Sequence, residues 1–112
     1  MPGKELVGAS TIPLILTVLQ SGEYYGYDLI KKVKSLSGGS LEWSEAMLYP
    51  VLHRLESTGA ISSRWELMTN GRKRKYYAIT ADGKSLLAEK KADWVVMIRL
   101  FSNVWNINAT GQ

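Results

Sequence analysis

Asn70-Gly71-Arg72-Lys73-Arg74-Lys75-Tyr76-Tyr77 constrains the fold more than any other stretch of this chain. Asn-Gly supplies two successive residues that tolerate positive φ, which a tight hairpin turn requires. The residue types on either side predict strands over Ala60–Leu67 and Lys75–Thr80, rich in the β-formers Ile61, Trp65, Tyr76, Tyr77 and Ile79. Lys and Arg number 14 against 10 Asp and Glu, a net charge of +4. Arg72, Lys73, Arg74 and Lys75 account for that whole excess, so the rest of the chain balances to zero. Four like charges at one hairpin tip repel one another, and a polyanion relieves the repulsion by releasing its counterions.

Three helices are predicted upstream of the hairpin. Residues 10–21 hold Ile12, Leu14, Ile15, Leu16, Val18 and Leu19, with Ser10 or Thr11 as N-cap, Pro13 in the first turn and Gly22 as terminator. Residues 26–36 carry Tyr27, Leu29, Ile30, Val33 and Leu36 at three- and four-residue steps, with Lys31, Lys32 and Lys34 off that stripe. Ser37-Gly38-Gly39-Ser40 ends this second helix. Residues 41–43 read as a short strand. Ser44 caps a third helix through Thr58, in which Leu48, Val51, Leu52 and Leu55 form the buried face and Trp43 with Leu48 has the spacing of a hydrophobic staple. Pro50 leaves two readings, a kinked helix or one that begins near Tyr49. The unbroken apolar spacing favours a single helix with a distorted first part.

Thr80 caps a last helix over about 81–106. Leu87, Trp94, Met97, Phe101 and Val104 follow near-heptad spacing, and between Trp94 and Phe101 only Arg99 is polar. A helix apolar nearly all round needs cover on more than one side, and a second subunit is the simplest cover.

This order, three helices and then a two-stranded hairpin, is that of a winged helix-turn-helix: mainly α with a small β-hairpin (α+β). The DNA-binding domain is expected over residues 1–80, and a dimerisation helix with its tail over 81–112. In such folds the third helix enters the major groove and the hairpin, or wing, reaches backbone or minor groove.

On the third helix, Glu45, Ala46, Tyr49, Pro50, His53 and Arg54 lie off the apolar stripe. Tyr49 and Arg54 are the expected DNA contacts, with Arg54 directed to phosphate, and Ala46 and Met47 are suited to thymine methyls. The alternative for Tyr49 is packing on the second helix. Lys31, Lys32 and Lys34 are expected at backbone phosphates, as are the wing residues Arg72, Lys73, Arg74 and Lys75. Strand alternation points Arg72 and Arg74 opposite to Lys73 and Lys75, so not all four need touch DNA.

Other function classes lack their residues. His53 is the only histidine and the chain has no Cys, so a metal site or a Ser-His triad has nothing to be built from. Glu42 and Glu45 do not make a convincing carboxylate pair. No catalytic role, metal or cofactor is expected. The 112 residues suit one domain, and 46% apolar content suits a folded globule. Absent cysteine is compatible with a reducing cytoplasm. Lys4 and Glu5, ahead of a short apolar run containing Pro13, do not form a signal peptide, and no stretch approaches the ~20 apolar residues of a membrane span.

Tyr25-Gly26-Tyr27-Asp28-Leu29, then Leu48-Tyr49-Pro50-Val51-Leu52-His53-Arg54-Leu55-Glu56, then Gly71-Arg72-Lys73-Arg74-Lys75-Tyr76-Tyr77 resemble the signature of the PadR family of bacterial transcriptional regulators, in order and with matching spacing over about residues 10–80. A single helix after the wing is similar to the short subgroup that includes the lactococcal multidrug-binding repressor. That resemblance implies a homodimer formed through the last helix, with a pore at its centre where a tryptophan stacks on planar aromatic ligands. Trp94 falls at that position, and Pro13, Thr17, Leu87 and Ile98 would line the pore. The subgroup has an acidic residue about one turn beyond the tryptophan; here Ile98 stands there, which argues against cationic ligands. Trp94 is equally explained as dimer core.

The resulting expectation is a cytoplasmic, homodimeric repressor that binds a pseudo-palindromic operator in double-stranded DNA and is released by a planar aromatic effector. A winged-helix protein-interaction module and a non-specific architectural DNA binder are the alternatives.

Overall fold

The computed structural model describes residues 1–107. Along the chain it forms α1 (Lys4–Leu19), β1 (Tyr24–Tyr25), α2 (Gly26–Leu36), α3 (Glu45–Ser57), β2 (Ile61–Leu67), β3 (Lys73–Ile79) and α4 (Ala81–Val104). The strands make one antiparallel sheet in the order β1-β3-β2. This is the expected α+β winged helix, with the strand beyond the hairpin at Tyr24–Tyr25 rather than at residues 41–43. Tyr24 and Tyr25 pair with Tyr77 and Tyr76, so the segment entering α2 is laced to the wing. A two-residue strand has no periodicity to betray it.

Helix α1 starts six residues earlier than its sequence suggests, with Gly3 rather than Ser10 or Thr11 at the N-cap. The hydroxyls of Ser10 and Thr11 instead donate to the Val7 carbonyl, at 2.9 and 2.7 Å, and are satisfied inside the helix. Pro13 therefore lies mid-helix. In α2, Gly26, Leu29 and Val33 are buried, whereas Tyr27 and Leu36, expected on the inner stripe, are exposed. Residues 41–43 are not a strand: no neighbouring strand pairs with them among the described residues, although Trp43 is buried.

Ser44 caps α3 as expected, its Oγ accepting from the Met47 N–H at 3.1 Å. The helix runs unbroken through Pro50, and Leu48, Leu52 and Leu55 are buried while Val51 is half-buried. Thr80 performs two tasks. Its Oγ1 accepts from the Gly83 N–H at 3.0 Å, capping α4, and donates to the Gly59 and Ala60 carbonyls behind α3.

One core, centred on Ile15, Leu16, Leu29, Leu48, Leu52, Ile61 and Tyr77, joins α1, α2, α3 and the sheet. Leu87 closes it from α4. Beyond Leu87 the helix leaves the core, with half-buried Trp94 still beside α1: Val96, Ile98, Leu100, Val104 and Trp105 are all exposed, and the molecule measures 54 × 29 × 23 Å. Its radius of gyration is 15.6 Å, against roughly 13 Å for a compact chain of this length. No described helix is long and apolar enough to cross a membrane.

Candidate nucleic-acid interface

The burial pattern of α3 leaves three outward zones. Ala46, Pro50, His53 and Ser57 face solvent directly opposite Leu48, Leu52 and Leu55. Tyr49 flanks this face on the wing side, and Arg54 flanks it on the side of α1. Met47, expected at the duplex, is half-buried against the core and lines a crevice with Val7, Thr11 and Ile12 of α1. The stripe at positions 47, 51 and 54 turns toward α1, which the count from the apolar residues alone did not separate from the outer face.

A groove runs between α3 and the wing. Tyr49 and His53 form one wall, and Trp65, Lys73 and Lys75 the other, with Tyr25 and Gly26 at its end. Tyr49 is half-buried, and burial raises its hydroxyl pKa. Its ring packs on Gly26 at the start of α2, and the same ring also edges the groove. Trp65 is a groove residue that sequence reasoning treated only as a strand former. Its two-residue spacing from Leu67, with both pointing past the end of the core, was the available signal.

The wing tip differs from a two-residue turn. The Gly71 N–H donates to the Met68 carbonyl at 3.0 Å and the Met68 N–H donates to the Arg72 carbonyl at 2.7 Å. Only Gly71, at φ 83°, adopts positive φ. Asn70 instead stays in the ordinary region and its Oδ1 accepts from the Arg72 N–H at 3.0 Å. This is a turn followed by a glycine bulge, and it brings Lys73 and Arg74 into β3 rather than the tip.

The four wing cations have different surroundings. Arg72 and Lys73 are exposed with no ion pair among the described residues. Arg74 is exposed and lines the groove beside Tyr25, with its guanidinium 4.4 Å from that ring's centre. Lys75 is half-buried and bonds Glu56 of α3 at 3.1 Å. Glu56 also accepts from the Ser63 hydroxyl, and that hydrogen bond, followed by Lys75, holds its carboxyl below the usual value. Lys75 is thus a tie between α3 and the wing. On the outer face Arg64 bridges Glu23 at 2.8 Å and Glu66 at 3.3 Å, and the Glu23 hydrogen bond chiefly raises its pKa. Lys31 and Lys32 are exposed on α2, with Lys31 Nζ 5.4 Å from the Tyr27 ring centre.

A second, apolar groove opens between α1 and α4. Trp94, Pro13, Thr17 and Ile98 line it with Ser10 and Leu14. Thr17 donates its hydroxyl to the Pro13 carbonyl at 2.7 Å, so that wall presents mainly carbon. Leu87, expected with them, is instead 2% exposed in the core and cannot line this groove. The near-heptad count ran through it because one helix face serves the core at its start and solvent farther on.

Residues 15–89, from the middle of α1 through the wing into α4, match the model of the transcriptional regulator PadR-like family. The chain belongs to that family. Its PadR domain is therefore that of a DNA-binding transcriptional regulator. An uncharacterised protein of Lysinibacillus sphaericus is 35% identical over 81 residues, which are 72% of this chain and 74% of that protein. The negative transcriptional regulator PadR of Bacillus subtilis is 30% identical over 82 residues, 73% of this chain; the match spans only 43% of that longer PadR protein. A transcriptional regulator from Clostridium thermocellum has a similar structure, with a TM-score of 0.82 and 26% identity over 89% of this chain and 97% of its own. Two of the motif residues have a packing role in this structure: Gly26 admits Tyr49, and Lys75 meets Glu56.

Proposed function

We propose that this PadR-family chain is a homodimeric repressor. Each third helix enters a major groove through Ala46, Tyr49 and His53, while Arg54, Lys31 and Lys32 meet phosphates and the wing extends over the adjacent backbone through Arg72, Lys73 and Arg74. The observation that carries this reading is the groove whose walls are Tyr49 and His53 of α3 and Lys73 of the wing. It offers shape for the duplex and unpaired cations for its phosphates.

Residues 1–80 are the DNA-binding domain, and α4 supplies the dimer contact. The exposed run from Val95 to Trp105, on a helix that leaves its own core at Leu87, supports that division. A surface of this kind on a soluble chain calls for cover. Residues 108–112, the expected tail, lie outside the described residues.

The groove of Trp94, Pro13, Thr17 and Ile98 takes a planar aromatic effector. Its side chains are nearly all carbon and carry no charge, which favours an uncharged ligand. Binding there acts on transcription by favouring one spacing of the two wing domains over another.

Affinity for the DNA upstream of the chain's own gene, compared with random DNA over a salt series, tests the reading. A clear preference for the upstream DNA is expected, and equal affinity for both defeats the repressor. Titration of tryptophan emission with planar aromatic compounds tests the effector, with Trp94→Leu as control.

A further inference from the structure

Trp65 and Leu67 are 64% and 68% exposed, although both belong to a regular strand. They stand two residues apart on β2 and so project from one face of the sheet. The register sets Trp65 opposite Lys75 and Leu67 opposite Lys73. Lys75 reaches Glu56 on α3, so this is the face turned toward the third helix. The same face begins at Ile61, which is 2% exposed in the core. Ser63, hydrogen-bonded to Glu56, interrupts this face, and beyond it Trp65 and Leu67 form a separate apolar pair that the core does not cover. A strand face left to solvent ordinarily carries polar side chains. Here it carries tryptophan and leucine beside Lys73, a cation without an acidic partner among the described residues.

We propose that Trp65 and Leu67 are an apolar contact surface for duplex DNA, packing on sugars and base edges in the minor groove while Arg72 and Lys73 hold the flanking phosphates. Charge selects this occupant: an apolar pair bordered by unpaired cations matches a groove walled by phosphates. Minor-groove binders combine the same elements, basic residues with apolar wedges. The inference rests on the DNA-binding reading above. It adds an affinity component that does not depend on counterion release.

The experiment compares the whole protein with Trp65→Ala, Trp65→Phe and Arg72→Ala, on the upstream DNA across a salt series. Trp65→Ala should weaken binding about tenfold at fixed salt while leaving the slope of log affinity against log salt unchanged, and Trp65→Phe should recover most of the loss. Arg72→Ala should make the slope shallower by about 0.9, one phosphate contact. DNA should alter the emission of the parent protein and alter that of Trp65→Phe much less. Full affinity in Trp65→Ala beside a weakened Arg72→Ala overturns the apolar contact and leaves DNA binding standing. A changed oligomeric state in Trp65→Ala also overturns it, because the pair would then serve a protein contact.

Discussion

The ring of Tyr49 lies against the bare backbone of Gly26: a Cβ built on Gly26 would stand 2.6 Å from the Tyr49 hydroxyl oxygen and 2.8 Å from two ring carbons. This contact seats the first turn of α2 on the flank of α3 beside the groove, so a missing side chain on one helix sets the position of an aromatic ring on the next. Gly26→Ala must displace that ring. We expect a loss of about 1–3 kcal/mol by urea denaturation, the usual range for overpacking, together with weaker DNA binding. Adding Tyr49→Ala to Gly26→Ala should relieve most of the steric part, which a double-mutant cycle measures.

At the start of α4 there is less room to adjust. A Cβ on Gly83 would meet the Ala60 carbonyl oxygen at 2.0 Å, and that atom is backbone. Gly83→Ala should cost about 3 kcal/mol, at the upper end for overpacking, whereas Thr80→Ala should cost about 1 kcal/mol, typical of a lost N-cap. Thermal melts of the two variants give the order. Equal melting temperatures would contradict it.

Glu56 makes the tie between α3 and the wing sensitive to acid. Its carboxyl is held below the ordinary glutamate value by the Ser63 hydroxyl and by Lys75. A carboxylate lowered in the folded state contributes stability above its unfolded value, about 4.3, and loses it as pH falls through the lowered one. The stability gap between the parent protein and Glu56→Gln should therefore be full at neutral pH and close on acidification below that range. A gap that widens toward low pH would reverse the sign.

Lys75 and Arg72 should behave differently despite being neighbours in the same basic run. Lys75 is occupied by Glu56, while Arg72 has no such partner among the described residues. Arg72→Ala should reduce the salt slope of DNA binding by about 0.9, and Lys75→Ala should reduce it less while lowering thermal stability.

Charge placed on the outer part of α4 should separate the subunits of the proposed homodimer without unfolding them. Met97 and Val104 are 42% and 67% exposed, beyond the core. Met97→Glu with Val104→Glu should convert a dimer to a monomer in light scattering and leave the far-ultraviolet circular dichroism nearly unchanged.

Much of the fold was legible because local chemistry decides it. The cap at Ser44, the cap at Thr80, the stripe of Leu48, Leu52 and Leu55 and the Asn-Gly hairpin are written in residues that act on neighbours within a few positions. The same locality explains the errors. Ser10 and Thr11 bond equally well inside a helix as at its start, and Asn70 served a bulged turn by accepting from Arg72 rather than by adopting positive φ. Tyr24 and Tyr25 pair with residues more than fifty positions away, beyond any local pattern.

The basic hairpin, the third helix and the family motifs determined by themselves that this chain is a winged helix-turn-helix regulator. Only the tertiary structure decided which members of those motifs are free to act. It divided one run of four cations into Lys75, spent on Glu56, Arg74, set against Tyr25, and the unpaired Arg72 and Lys73. It withdrew Leu87 into the core while leaving Trp94 at a groove, and it exposed Trp65 beside the third helix. Sequence spacing fixes the direction of a side chain along its own helix or strand. What that side chain meets depends on an element far away in the chain, and that is settled only when the elements pack.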